Sequence, residues 1–255
     1  LVQPAAGIGI TNEETYFVVV PDGAFETVGG ASSTGIVNTY SFKGRNFDYQ
    51  RWAVGRNTSN QWGAGDLYEN NFSASSPVQV GSSSGWTDIQ MSGTNNAVLG
   101  RKNDGTLWSW GSSSSGMLGQ GNNAGVSSPK QIGTDTTWGE KFNSNSIHCC
   151  AIKTDGSLWT WGRNEFGQLG QNDRGSDGAT NRSSPIQVGT DTTWSTVASG
   201  QGQRGVTVAV KTDGTLWSWG CSTVGALGLN TPKNPSGDVF MSSPTQIGTA
   251  TVLHV

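Results

Sequence analysis

An all-β fold built from repeated four-stranded sheets is what this sequence predicts, and three observations predict it. A ten-residue stretch, Lys211-Thr-Asp-Gly-Thr-Leu-Trp-Ser-Trp-Gly220, has near-copies at residues 102–111 and 153–162. A Gly that closes each copy recurs at Gly111, Gly162 and Gly220, with a further one at Gly55, at intervals of 56, 51 and 58 residues. The composition, 38 Gly in 255 residues with 33% hydrophobic and only 13% charged, suits short strands joined by many turns rather than a charged disordered chain.

Each copy joins an apolar run (Ala97–Leu99, Cys149–Ile152 or Val206–Val210) through Asp-Gly to Leu-Trp-x-Trp, the pattern of a β-hairpin. Gly supplies the positive φ of the turn, and Asp hydrogen-bonds the backbone beside it. Alternate residues of a strand face the same way, so Trp108 and Trp110, Trp159 and Trp161, and Trp217 and Trp219 are each expected to share one face.

In chain order, residues 1–39 read as an arm carrying a degenerate hairpin, Tyr16–Gly30, that turns at Asp22-Gly23. Residues 40–255 read as the repeats. Eight residues after each closing Gly comes another, at Gly63, Gly119, Gly170 and Gly228, ending Asn-Gln-Trp-Gly, Gly-Met-Leu-Gly, Gly-Gln-Leu-Gly and Gly-Ala-Leu-Gly. Ser-Ser-Pro-x-Gln-(Val/Ile)-Gly follows at residues 75–81, 127–133, 183–189 and 242–248. Nine residues past each Pro stands Trp86, Trp138 or Trp194, with Leu253 in the fourth copy.

A unit of this length with about four short strands cannot bury both faces alone, so copies must pack side by side. Radial packing leaves only short protected edges, which points to a β-propeller, or an open arc of one, with about four to five repeats. The Asp-Gly-x-Leu-Trp-x-Trp-Gly, Gly-x-Leu-Gly and Ser-Ser-Pro-x-Gln-Ile elements resemble the regulator of chromosome condensation repeats over about residues 40–255. That family consists mostly of seven-bladed propellers that act through protein contacts. Its repeats usually place His before the strand leading to the Asp-Gly turn; only His148 does so here, with Ala97 and Val206 at the corresponding positions. Four repeats and a fragment are fewer than seven, and the chain stops at residues 252–255 where another unit would begin. An incomplete chain, or closure by its own N-terminal strands, is expected. One plant member senses ultraviolet light through stacked tryptophans, but packing between blades is the preferred reading of the indoles here.

Several function classes are disfavoured. A net charge of −3 without a Lys/Arg cluster gives no footprint for nucleic acid. No run reaches the roughly 18 apolar residues of a membrane span, so no membrane insertion is expected. Three cysteines, two of them adjacent at Cys149 and Cys150, read as small buried strand residues. Gly200–Gly205 matches G-x-G-x-x-G, yet a strand-like run follows it where a dinucleotide site needs a helix. The oxygen-rich run at residues 172–178 lacks EF-hand spacing and reads as a turn. His148 and His254 form no triad with the scattered acids, so no catalytic residue, metal or cofactor is expected. Sequons at Asn57, Asn71 and Asn181 are compatible with secretion.

Length variation points to a binding surface. From the loop Gly to the Pro of Ser-Ser-Pro the separation is 14, 10, 15 and 16 residues, so insertions gather on one face of the ring. These loops carry Asp66, Tyr68, Phe72, Asp173, Arg174, Asp177, Arg182, Lys233, Asp238 and Phe240, the candidate partner-binding residues. The expected function is a non-enzymatic binding or structural propeller within an oligomer or larger assembly. The Ser/Thr/Asn/Gly-rich, Lys-poor texture resembles virion or bacterial surface versions of the family, so a fibre, decoration or host-attachment module acting through protein or glycan contacts is expected. The alternatives are a guanine-nucleotide exchange regulator of a small GTPase and a carbohydrate-active enzyme.

Overall fold

A computed structural model describes residues 15–18, 40–43, 51–57, 59–64, 73–82, 84–92, 97–145, 147–175, 177–200, 204–222, 225–230 and 237–251. The chain divides into two compact units, Leu1–Tyr49 and Gln50–Val255. In the first, Thr15–Val18 (β1) pairs antiparallel with Tyr40–Lys43 (β2), Tyr16 opposite Phe42. The turn expected at Asp22-Gly23 lies outside the described residues.

The second unit opens with a two-stranded sheet, Trp52–Arg56 (β3) and Ser73–Gln79 (β4). Three four-stranded antiparallel sheets follow, each in simple sequential order. The first holds Trp86–Met91 (β5), Ala97–Lys102 (β6), Leu107–Gly111 (β7) and Val126–Gln131 (β8). The second holds Trp138–Ser144 (β9), His148–Lys153 (β10), Leu158–Gly162 (β11) and Arg182–Gln187 (β12). The third holds Trp194–Ser199 (β13), Val206–Lys211 (β14), Thr215–Ser222 (β15) and Val239–Thr251 (β16). No helix occurs among the described residues. Between sheets, β9 approaches β5 and β6, and β13 approaches β9 and β10. First strands therefore form the hub and β8, β12 and β16 the rim, the blade order of a propeller.

The Asp-Gly turns form as expected, with the positive φ confined to Gly105, Gly156 and Gly214 (78°, 81° and 81°). Asp104 Oδ1 accepts from Thr106 N at 3.0 Å and from Thr106 Oγ1 at 2.6 Å, and that hydroxyl accepts from Trp108 Nε1 at 2.7 Å. The same chain runs Asp155–Ser157–Trp159 and Asp213–Thr215–Trp217. One local turn thus fixes the outer indole of each pair.

The inner indole faces a neighbour. Trp110, Trp161 and Trp219 are at most 2% exposed, and each donates its N–H at 2.9 Å to the turn of the preceding sheet, at Gln61 O, Met117 O and Gln168 O. Both indoles of a pair meet the same first-strand Trp edge-on: Trp86, Trp138 or Trp194, with centroids 5.5–6.2 Å apart. The expectation that each pair shares a face holds, and it makes three tryptophan triads, each worth about 0.5–1.5 kcal/mol per ring pair beyond area burial.

The Gly-x-Leu-Gly turn is shaped for this contact. A Cβ on Gly170 would stand 2.8 Å from Trp219 Nε1, and Gly170 has φ +71°. Its far side is bonded as well, Gly121 N to Ser183 O and Asn172 N to Ser242 O at 2.7 Å. The middle residue of Trp-x-Trp secures the turn within its own blade: Ser109, Thr160 and Ser218 donate to the carbonyls of Leu118, Leu169 and Leu227 at 2.6–2.7 Å. The three recurring motifs are thus the parts of one joint between blades. Trp52 occupies the register position of Trp108, opposite Gln79 as Trp108 is opposite Gln131, and is 60% exposed.

Candidate functional site

Two inserted loops meet beyond the strand ends at Gly162 and Ser222. The segment between β11 and β12 brings Arg163, Phe166 and Arg174, and the start of β16 brings Phe240. The Phe166 and Phe240 rings are stacked, 6.3 Å between centroids and 10° between planes. Arg163 lies over the Phe166 ring, 5.7 Å from its centroid, and Arg174 lies 4.3 Å from the Phe240 centroid. The result is an Arg–Phe–Phe–Arg pile bridging two blades. Cation–π contacts of this kind contribute about 0.5–1 kcal/mol each at exposed sites.

Ion pairs frame the pile. Arg163 pairs with Glu165, and Asp173 pairs with Arg182 at 2.6 Å. Asn164, fully buried, donates to the Asp173 side chain at 2.6 Å and so fixes the loop from beneath. Asp238 pairs with Arg204, which comes from the loop before β14. Asp177 is exposed and accepts from Ala179 N at 3.0 Å.

Of the ten candidate residues, Asp173, Arg174, Arg182, Asp238 and Phe240 gather here, and Asp177 sits on the same loop. Asp66, Tyr68, Phe72 and Lys233 lie outside the described residues. Three contributors were not read from the sequence. Arg163 and Phe166 fall in the repeat spacer after Gly162, and Arg204 fell in the Gly-rich run. An Arg and a Phe at positions that hold Ser112 and Ser115 in the preceding repeat were the available signal.

Asp173 spends its carboxylate on Arg182 and Asn164, and no group of three or more His, Cys, Asp or Glu side chains placed to hold a metal occurs among the described residues. The G-x-G-x-x-G run leads into strand β14, as expected, and not into a helix. Asn57, the first sequon, is 1% exposed, its side chain accepting from Trp62 N at 3.1 Å. What the surface offers is a flat guanidinium over an aromatic face, with further Arg donors at its border.

Known proteins share the repeats and the fold. The family described as "Regulator of chromosome condensation (RCC1) repeat" matches residues 104–149, 155–203 and 213–255. The ultraviolet-B receptor UVR8 of Arabidopsis thaliana is 30% identical over 179 residues, 69% of this chain and 38% of UVR8. The RCC2 homolog of Danio rerio is 32% identical over 138 residues, 50% of this chain and 25% of that protein. In structure, yeast RCC1 (Prp20) bound to Kap60 superposes with a TM-score of 0.59 at 22% identity, over 73% of this chain and 43% of that one. Human WBSCR16 does so with a TM-score of 0.59 at 19% identity, over 76% and 46%. The chain thus spans less than half the length of these proteins, and the superpositions speak for the fold.

Proposed function

Because this chain belongs to the regulator of chromosome condensation repeat family, we propose that it is a non-enzymatic binding propeller that grips a protein partner through the Arg163–Phe166–Phe240–Arg174 pile. The pile itself carries the reading. Exposed Arg backed by stacked aromatic rings is the composition that dominates protein interfaces, here mounted on loops held by the rigid joint beneath. Similar proteins work by contact: the structure of Prp20p from Saccharomyces cerevisiae is described with its binding properties to Gsp1p and histones. The polar, Lys-poor composition supports a place on the exterior of a virion or cell, as part of a larger assembly.

A photo-crosslinking residue placed at Arg174, with Asp213 in the opposite turn as control, tests this in the native particle or cell. Adducts from position 174 alone, lost when Phe240→Ala is added, are expected. Adducts from position 213 alone would place the partner on the other face. Accelerated nucleotide release from a small GTPase, unaffected by Phe240→Ala, would favour the exchange-factor reading instead.

A further inference from the structure

Two grooves at successive blade joints are lined by the same residues at the same repeat positions. The first, about 400 Å³, is bordered by Gln120, Asp135, Trp138, Lys153, Trp159 and Pro185. In the second, about 540 Å³, Gln171, Asp191, Trp194, Lys211, Trp217 and Pro244 take the corresponding places. Both volumes fall in the range of small-molecule sites, about 300–1,000 Å³.

Their chemistry is also shared. Lys153 Nζ lies 4.0 Å from the Trp159 centroid and 4.9 Å from that of Trp138. Lys211 Nζ has the same distances to Trp217 and Trp194. Each ammonium pairs with the groove's Asp, so each groove is formally neutral. The indole N–H groups of Trp138 and Trp194, in side chains 3% and 4% exposed, are buried without an acceptor. A buried donor left unpaired is costly, and its recurrence at one repeat position marks a place for an acceptor.

We propose that these grooves are two equivalent subsites for a neutral carbohydrate, one at each blade joint. The half-buried indoles Trp159 and Trp217, the ones in each groove that keep accessible surface, suit the C–H groups of a sugar ring. Beside them stands the Lys–Asp pair, whose carboxylate is also held by Thr137 or Thr193 and whose ammonium keeps further donors for vicinal hydroxyls. There too stands the carboxamide of Gln120 or Gln171, whose NH2 is held by main-chain carbonyls and whose oxygen can accept from a hydroxyl. The cancelled charge selects against anionic and cationic ligands. Repetition at the pitch of one blade suits a polymer that occupies both grooves, multiplying a weak single-site affinity. The proposal is independent of the protein-binding pile, which uses different residues.

Affinity electrophoresis through laminarin, mannan, dextran and galactan, with heparin as the anionic control, tests it, and tryptophan emission reports occupancy. At least one neutral polymer is expected to retard the chain and shift its emission, while heparin does not. Asp191→Asn, isosteric with the native side chain, should weaken polymer binding about tenfold by removing one of two linked sites. Adding Asp135→Asn should abolish retardation while circular dichroism still reports the native fold. Retardation by none of the neutral polymers, equal retardation by heparin, or unchanged binding in the folded double variant would each overturn the assignment.

Discussion

His148 Nε2 lies 2.8 Å from Thr207 Oγ1 across the joint between the second and third four-stranded sheets, and both side chains are fully buried. Asn145 Nδ2 stands 3.1 Å from His148 Nδ1 and 2.7 Å from Gly200 O. A carboxamide NH2 only donates, so Nδ1 accepts and Nε2 carries the proton. Thr207 passes the chain on, donating at 2.8 Å to Gln168 O, the carbonyl that also receives the Trp219 indole. Ala97 and Val206 stand opposite Gly111 and Gly220 as His148 stands opposite Gly162, so His148 is the polar version of an otherwise apolar position.

This network makes stability depend on pH. Burial pushes the His148 pKa down to about 3, well below its ordinary 6.5. Native His148 stays neutral while the unfolded chain takes up a proton. Its contribution is complete above pH 6.5 and is lost as pH falls from there toward 3, at about 1.4 kcal/mol per pH unit. Urea midpoints measured from pH 7 to 4.5 should fall accordingly. His148→Gln should lower stability at pH 7 by about 1–2 kcal/mol and flatten that slope; an unchanged slope would assign the acid sensitivity elsewhere.

Gly170→Ala should destabilise by about 2–4 kcal/mol, combining a left-handed backbone with a Cβ set against the Trp219 indole. Gly189→Ala is the control: its φ is +59° with nothing within 4 Å of the added carbon, so about 1 kcal/mol is expected. Equal losses in urea denaturation would show that the backbone alone, and not the joint, sets the cost.

The thiols should be silent. Cys149, Cys150 and Cys221 are free and at most 2% exposed, and burial pushes the Cys149 thiol up to about 12 and raises that of Cys150 as well. Ellman's reagent at pH 8 should label none of them in the folded chain and all three in urea. Rapid labelling of one native thiol would point to local opening of its blade.

Arg174→Ala should leave stability within about 0.5 kcal/mol, because the side chain is exposed and rests on Phe240 from outside. Phe240→Ala removes a half-buried ring from beneath it and should lower the thermal midpoint by several degrees. Comparison of the two melts separates the support from the contact. A loss on Arg174→Ala as large as on Phe240→Ala would make the guanidinium part of the fold.

Much of the fold was legible because its signals are local. Asp-Gly turns, alternating indoles and fixed spacings between Gly and Pro are all set within a dozen residues, and the hairpins around Gly105, Gly156 and Gly214 follow from them. The spacing also implied that Trp110 and Trp108 share a face. It could not say which one reaches a neighbour, since that is decided by the turn around Gln61, 49 residues away. The candidate surface was half legible for the same reason. Arg174 and Phe240 stood out as insertions, but the stacking of Phe166 on Phe240 joins loops of two repeats and leaves no spacing to read. Likewise His148 declared itself by departing from its repeat, whereas its tie to Thr207 exists only once two blades are docked.

The indole-to-turn bond gives the array a head and a tail. Every four-stranded sheet plugs a tryptophan into its predecessor and offers its own Gly-x-Leu-Gly turn as a socket to its successor, so assembly has one permitted sense. In the third sheet the socket residues Gly225, Ala226 and Gly228 are exposed, where Met117 and Gln168 of the filled sockets are buried. A blade grafted after β16 must therefore arrive indole first, with its N–H aimed at the Ala226 carbonyl, and one built in the mirror order would find no lock to enter.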